Sequence, residues 1–495
     1  MQPQCGLISV LSVTASISGI MQALPNELLA QIASHLESQP PSITKFNHEP
    51  SADLAYSYTE VNTKPLKSLS LVSWRWRKVV LPILFRFTRI ALDKEPQWVP
   101  MDARLVDSMQ LQLSSLSNHE FMLYTKLRSK FKATTGEAFA PAMDDVFIQL
   151  CRIQEGDEFL KTTPSKVWLP HLSRDFNNFS RFVTGNKLKH HIKSVVLHTD
   201  KEYDLRHVST AQGPLAREVT DIWNRVFDVL EPARVVVAAP PKTMAALLDS
   251  HVGTNDMWAF EMKMHYIELL SDQPPIENNQ QEHRTNDAPL IHRRPWNHLG
   301  YNEGSSITAY STYEFHLKIA PRILFLVLSR LCENPALCRD LTSFSFVAVF
   351  PLSSTVSSIV DAVYGIPSIK KVTLQLAPGP ENDLLSNGSK RRKAQSSDFW
   401  SEWRAGYGAL TKMEIFYDQS KGEEKAVKEI VSKDCYSKQL AVEVAEVIGH
   451  YLETASTTWK SGGVGRWIKV TSEEKGNSKA VLKFVVGDEP EQFAK

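Results

Sequence analysis

From about residue 190 onward, short apolar runs alternate with amphipathic helical stretches. The segment Lys371–Leu376 places apolar side chains at every second position, which is the period of a half-buried strand. The clearest helical stretch carries apolar residues three and four positions apart: Val219, Ile222, Trp223, Val226, Phe227 and Leu230. Strands that alternate with helices normally pair in parallel through crossover helices. This pattern predicts a βα region over residues 186–495.

Five strands are predicted in this region: Ile192–Leu197, Val235–Ala239, Phe344–Phe350, Val372–Leu376 and Met413–Tyr417. A second helix is predicted over Leu440–Tyr451, and a C-terminal hairpin is predicted from residues 466–470 and 480–486. The polar stretches 271–306 and 377–397 predict long surface loops. Because the strands are unevenly spaced, no tight sequence repeat is visible.

The N-terminal part contains two amphipathic stretches, which predict two or three short helices over residues 22–92. In the first, Leu24–Leu36, Pro25 suits the first helical turn and Glu27 places a negative charge near the positive end of the helix dipole. The second runs from residue 66 to residue 80, and Pro82 is expected to interrupt it before a short further turn. Residues 39–65 between them predict a loop. Residues 1–21 predict a flexible leader, and residues 93–185 predict a mainly helical linker region.

Charge and cysteine usage exclude several classes of protein. The 495-residue chain has 56 Lys and Arg against 55 Asp and Glu, a formal charge of +1, so no global field attracts nucleic acid or an anionic membrane. Five cysteines without a Cys-x-x-Cys pair indicate neither a disulfide framework nor a zinc finger. A reducing compartment, cytoplasmic or nuclear, fits best.

Local catalytic motifs are absent from the sequence. It contains no Gly-x-x-x-x-Gly-Lys-Ser/Thr phosphate loop, no Gly-x-Ser-x-Gly elbow and no His-Glu-x-x-His helix. The run Gly462–Gly465 lacks the Lys-Ser/Thr that would engage phosphate, and it predicts a turn. We therefore predict no catalytic residue, no cofactor and no metal site.

The two N-terminal stretches together carry a more specific pattern. Its residues are Leu24, Pro25, Glu27, Leu28, Ile32 and Leu36, followed by Leu69, Leu71, Val72, Ser73, Trp76 and Arg77. The segment Leu81–Arg86 closes it. This combination resembles the F-box, a compact three-helix module, in the form common among fungal members. The chain departs from the family by roughly 20 extra residues after Leu36, where a short loop is usual.

The resemblance implies a fold class, a partner and a function. The partner is a Skp-family linker, bound through Leu24, Pro25, Glu27, Leu28, Ile32, Leu36, Leu69, Val72 and Trp76. Through this linker the chain would join a cullin as a non-catalytic subunit of an SCF-type ubiquitin ligase. Residues 179–183, 192–197 and 223–237 resemble the irregular leucine-rich-repeat-like region of fungal F-box proteins, which implies an α+β protein with a solenoid that binds an unknown target protein.

Three alternatives remain open. The chain could bind the Skp linker as a scaffold without ubiquitination. The C-terminal region could instead be an α/β ligand-binding or enzymatic domain whose catalytic residues come from separate strand ends. Each apolar residue of the F-box-like pattern could also serve core packing, since core and interface positions share one helical face.

Overall fold

A computed structural model of the chain describes residues 24–96, 168–203, 208–250, 256–272, 289–334, 338–420, 427–449, 452 and 459–470. The predicted leader and the second strand of the predicted C-terminal hairpin lie outside these residues. Most of the predicted linker region, residues 97–167, lies outside them as well.

Fourteen α-helices occur in the described part of the chain. The first five precede the sheet or lead into it: α1 (Asn26–Ser34), α2 (Pro41–Thr44), α3 (Ala52–Ser57), α4 (Lys64–Ser70) and α5 (Trp74–Leu84). The others are α6 (Asp175–Gly185), α7 (Val208–Val229), α8 (Pro241–Leu247), α9 (Met257–Phe260), α10 (Ile323–Glu333), α11 (Ser353–Tyr364), α12 (Gly388–Arg391), α13 (Ser396–Ser420) and α14 (Lys438–Val444).

Ten strands form one open sheet in the order β1-β2-β3-β4-β5-β6-β7-β8-β10-β9. They are β1 (Phe87–Ala91), β2 (Ser194–His198), β3 (Arg234–Ala239), β4 (His265–Leu270), β5 (His298–Ser305), β6 (Ser343–Val349), β7 (Lys371–Gln375), β8 (Glu429–Ser432), β9 (Trp459–Gly463) and β10 (Arg466–Lys469). The predicted combination of helices and strands is therefore confirmed as a mixed α/β architecture.

The expectation of parallel pairing is correct for most of the sheet and wrong for four pairs. Strand β4 runs antiparallel to both β3 and β5, and β10 runs antiparallel to both β8 and β9. The remaining pairs are parallel. Apart from the terminal hairpin, each strand lies beside the strand that follows it in the chain, so the sheet grows in one direction along the sequence.

Both faces of the sheet are covered in its first half. Val195 and Leu197 of β2 point to the side packed by the long helices, whereas Val196 between them contacts residues that precede α4. Every residue of β3 is buried for the same reason. A strand covered on both faces is apolar at consecutive positions, and this explains the unbroken apolar run from Val235 to Ala239.

Four of the five predicted strands are confirmed, as β2, β3, β6 and β7. The predicted strand Met413–Tyr417 is wrong, because these residues continue helix α13. That helix buries Phe399, Trp403, Tyr407 and Leu410, spaced three and four apart, and its period overrides the short apolar run that follows. The predicted helices at 219–230 and 440–451 correspond to α7 and to α14 with the π-helix that follows it.

All three of the predicted loops contain regular structure, including residues 377–397, which contain α12 and the start of α13. Residues 271–306 include strand β5, and residues 39–65 include α2, α3 and the start of α4. The second N-terminal stretch is two helices rather than one, because Ser73 caps α5 by accepting a hydrogen bond from the Trp76 amide. Pro82 does not interrupt α5 but lies in its last turn.

Candidate protein-binding surfaces

Helices α1, α4 and α5 pack on one another into a small helical cluster. Its interior consists of Leu29, Ala33, Leu66, Trp76, Val80 and Ile83. The N-terminal ends of α1 and α5 are joined by Arg75, whose Nε donates to Asn26 Oδ1 at 2.9 Å and whose guanidinium also donates to the Leu24 carbonyl. These bonds fix the two helices against each other.

The helical cluster carries six large apolar side chains on its surface. On α1, Leu28 and Ile32 are 45% and 38% exposed and their four-residue spacing places them on one helical face, and Leu36, two residues beyond the helix, is 40% exposed. At the α4–α5 junction, Leu71, Val72 and Trp74 are 79%, 66% and 79% exposed. We call these six side chains the apolar face of the cluster. A concentration of this kind is typical of a surface that another protein covers.

The residues predicted to bind a linker fall into three groups. Pro25, Glu27, Leu28, Ile32, Leu36 and Val72 are exposed, Leu24 and Leu69 are half-buried, and Trp76 is buried in the interior of the cluster. The prediction omitted Leu71 and Trp74, although they are the most exposed apolar side chains of the cluster. Their position on either side of Ser73, the helix-capping residue, is the sequence feature that could have identified them.

A short ion pair attaches the helical cluster to the sheet. Arg86 lies directly before β1, and its Nη1 lies 2.6 Å from Glu37 Oε2, just beyond α1. Burial raises the pKa of Glu37, and the neighbouring positive charge of Arg86 opposes that shift. The carbonyl of Arg86 also accepts from the backbone amides of Lys193 and Ser194 at the start of β2.

Residues 40–58, which include α2 and α3, lie across the face of the sheet that the long helices leave open; we call them the strap. Phe46, Ala55 and Tyr58 of the strap are buried against β2, β3 and β4. The ring centroids of Tyr58 and Tyr266 are 4.6 Å apart.

Polar side chains of the sheet hold the backbone of the strap. Asn302 Nδ2 donates to the carbonyls of Phe46 and His48 at 2.6 and 2.8 Å. Tyr266 Oη accepts from the Ser51 amide at 2.9 Å and donates to the Ser51 carbonyl at 3.0 Å. Because these bonds satisfy main-chain groups that would otherwise be buried without partners, the strap is an integral layer of the fold.

A cleft of about 680 Å³ lies between the strap and the carboxyl ends of β6, β7 and β8. One ion pair stands in its wall, where Lys390 Nζ lies 2.5 Å from Asp383 Oδ1, and His48 Nε2 lies 3.8 Å from Glu381 Oε2 nearby. Burial lowers the pKa of Lys433, which follows β8. The cleft has the size of a site for a small ligand or a short peptide.

A buried carboxylate lies between two residues that line this cleft, Lys433 and Cys435. Asp434 accepts hydrogen bonds from Trp403 Nε1 at 2.9 Å, from Tyr407 Oη at 2.8 Å and from the amides of Leu376 and Ala377 at 3.0 Å. Burial raises the pKa of Asp434, and the four donors oppose that shift. Because every one of these partners is buried, the group ties the end of β7 to α13 rather than acting on a ligand.

Within the described ranges, no group of three or more His, Cys, Asp or Glu residues is placed to hold a metal ion. No helix there is long and apolar enough to cross a membrane. The chain matches no family model, no curated protein sequence and no solved structure.

Proposed function

We propose that the chain is a non-catalytic adaptor: the helical cluster binds a Skp-family linker, and the sheet region binds a target protein. The linker would connect the chain to a cullin, so that the target is ubiquitinated by other subunits. The adaptor contributes proximity, because it raises the effective concentration of target lysines near the ubiquitin carrier.

The observation that carries this proposal is the apolar face of the helical cluster. Burying one large aliphatic side chain contributes roughly 1.5–3 kcal/mol, so six partly exposed ones can offset the cost of association. Five of these six residues, all except Trp74, belong to the pattern that resembles the F-box. A soluble chain in a cytoplasmic or nuclear compartment gains solubility when such a face is covered by a partner.

The sheet region supports the target-binding half of the proposal by its topology. Nearly every strand neighbours the next strand of the chain, as expected for an irregular leucine-rich-repeat-like solenoid. In such a protein the face opposite the helices binds the partner. Here the strap covers that face over β2–β5, so we place target capture at the cleft beside β6–β8.

The test is co-purification of the full chain with a Skp-family linker. The proposal predicts a stable complex that depends on Leu28 and Ile32. Detection of cullin in the complex isolated from cells distinguishes a ligase adaptor from a scaffold that binds only the linker. Absence of any linker binding by a folded chain would refute the adaptor function.

A further inference from the structure

A second, much narrower pocket lies on the helix-covered side of the sheet, near the carboxyl end of β5. Its volume of about 40 Å³ accommodates roughly three water-sized groups. Its apolar wall includes Ile319, Pro321, Leu324, Phe325 and Ile359. The N-terminal half of α11 contributes hydroxyl groups from Ser354, Thr355 and Ser358.

Glu303 of β5 lines this pocket and is only 2% exposed. Its Oε1 has no hydrogen-bond partner among the described residues. Buried carboxyl groups almost always have a partner, and leaving one without costs free energy. Burial alone raises the pKa of Glu303 to about 8, because no charged neighbour compensates for the lost solvent.

The cations at the rim are engaged elsewhere. Lys318 Nζ lies 3.5 Å from Asp256 Oδ1 and 5.3 Å from the ring centre of Trp258. The guanidinium carbon of Arg322 lies 5.6 Å from the ring centre of Phe325. Neither side chain forms an ion pair with Glu303.

The strands around Glu303 supply no positive charge either. Tyr301 of β5 shares a 2.6 Å hydrogen bond with Nδ1 of His265 on β4. Burial lowers the pKa of this histidine to about 3, so its ring is neutral at pH 7. The side chains of α11 that line the pocket, Ser354, Thr355, Ser358 and Ile359, carry no charge. None of these groups pairs with the Glu303 carboxyl group, which leaves Oε1 available to a donor that enters the pocket.

We propose that this pocket binds the primary ammonium group of a lysine side chain presented by a partner polypeptide. The ammonium group has three donors, which the Glu303 carboxylate and two of the three hydroxyls would accept. The apolar wall would pack the methylene stem, as lysine stems commonly pack on apolar surface.

The surroundings of the pocket favour a polypeptide over a free amine. Ile319 lines the pocket and is itself 56% exposed. Further exposed apolar side chains are Trp258 on α9 and, like Ile319 in the connection between β5 and α10, Tyr313 and Leu317. A free amine would leave these side chains in water, whereas a peptide that carries a lysine would cover them.

Occupation of the pocket has a proton balance that can be measured. At pH 7 the empty pocket holds a protonated Glu303, and an ammonium ligand requires the ionised form. Binding therefore releases close to one proton to the buffer. The apparent affinity should rise about tenfold per pH unit up to pH 8, because the competent fraction of the protein rises in that proportion.

The experiment is isothermal titration of the full chain at pH 7 in two buffers of different ionisation enthalpy. The probes are n-butylammonium, Nα-acetyl-lysine N-methylamide and glycine N-methylamide, the last carrying a free N-terminal amine. We expect the first two to bind with proton release, and the glycine compound to bind at least tenfold more weakly because it lacks the stem.

Variants of the pocket complete the test. Glu303→Gln should bind at least tenfold more weakly and should release no proton. The control Glu314→Gln removes an exposed carboxylate from the connection that follows β5 and should change neither the affinity nor the proton release. Ser358→Leu fills the pocket without altering Glu303 and should also abolish binding. This second variant tests the pocket even if the Glu303→Gln chain does not fold.

Equal binding by Glu303→Gln, binding without proton release, or equal binding of the glycine compound would each overturn the assignment. The measurement involves no linker protein. If no ammonium probe binds, the adaptor proposal is therefore unaffected. If the chain does not bind a Skp-family linker, the proposal for the Glu303 pocket is likewise unaffected.

Discussion

The double change Leu28→Asp with Ile32→Asp should abolish linker binding while leaving the fold intact. Leu28 is 45% exposed and Ile32 is 38% exposed, so each has roughly 0.6–1.3 kcal/mol of burial still to gain at an interface. The substitutions remove that gain. Because both side chains face outward on α1, the free energy of unfolding should change by no more than about 1 kcal/mol.

The introduced charge contributes the larger part of the loss. A carboxylate that is buried without a partner loses its hydration, which is unfavourable. The least unfavourable response is to take up a proton, which at pH 7 costs about 4 kcal/mol for an aspartate of ordinary pKa. One buried aspartate would therefore weaken binding by roughly 1,000-fold. Adding the lost apolar burial, we expect the double variant to bind at least 1,000-fold more weakly.

The assay is biosensor titration of the full chain against a recombinant Skp-family linker, with circular dichroism as the measure of folding. The control is Gln31→Asp with Ser34→Asp, which adds the same two charges to α1 away from the line of Leu28 and Ile32. It should bind within a few-fold of the natural chain. If the folded double variant binds as well as this control, the apolar face is not the docking surface.

Further predictions concern the stability of the fold. Tyr58→Ala should cost about 3–5 kcal/mol and accelerate hydrogen exchange across the strap, whereas unchanged exchange would show that the strap is not anchored there. Asp434→Asn should lower the free energy of unfolding by roughly 2–3 kcal/mol in urea titrations, since an amide nitrogen would face a donor; no change would contradict the network. Glu303 stays protonated in the folded chain up to about pH 8 but ionises near pH 4.5 in the unfolded chain, so stability should fall by up to about 1.4 kcal/mol per pH unit as the pH rises between these values. Glu303→Gln should remove that slope, and a slope that persists in the variant would contradict the assignment. His265 stays neutral in the folded chain, so it should lower stability below pH 6.5, where the unfolded histidine gains a proton; because Glu303 acts in the opposite direction down to pH 4.5, the fall should be visible in Glu303→Gln, and constant stability of that variant below pH 6.5 would contradict it.

The local periodicities of this sequence predicted much of the fold. The alternation in Lys371–Gln375 and the apolar runs at β2, β3 and β6 identified strands correctly, because burial there depends on side chains within a few residues. The helix that contains Trp223 and Phe227 was equally clear. The error at Met413–Tyr417 arose because a five-residue apolar run fits a strand and the end of a long helix equally well.

The elements that the sequence did not predict depend on distant partners. The strap looks like a polar loop, since its regular parts are only four and six residues long. Phe46 and Tyr58 are its anchors, but their burial results from β2–β4, about 140 to 220 residues later in the chain. Glu303 likewise gave no motif, because the pocket around it combines a strand, a loop and two helices that are separate in sequence.

The strap also constrains the order in which the chain can fold. Ser51 bonds to Tyr266, Phe46 to Asn302 and Asn47 to Gln375, across separations of 215, 256 and 328 residues. Loops of this length close slowly, and during synthesis the N-terminal segment leaves the ribosome long before β4, β5 and β7 exist. The helices on either side of the strap are made first and can pack on one another at once. Docking of the strap must then be a late step of folding, completed only after β7 has been synthesised and paired.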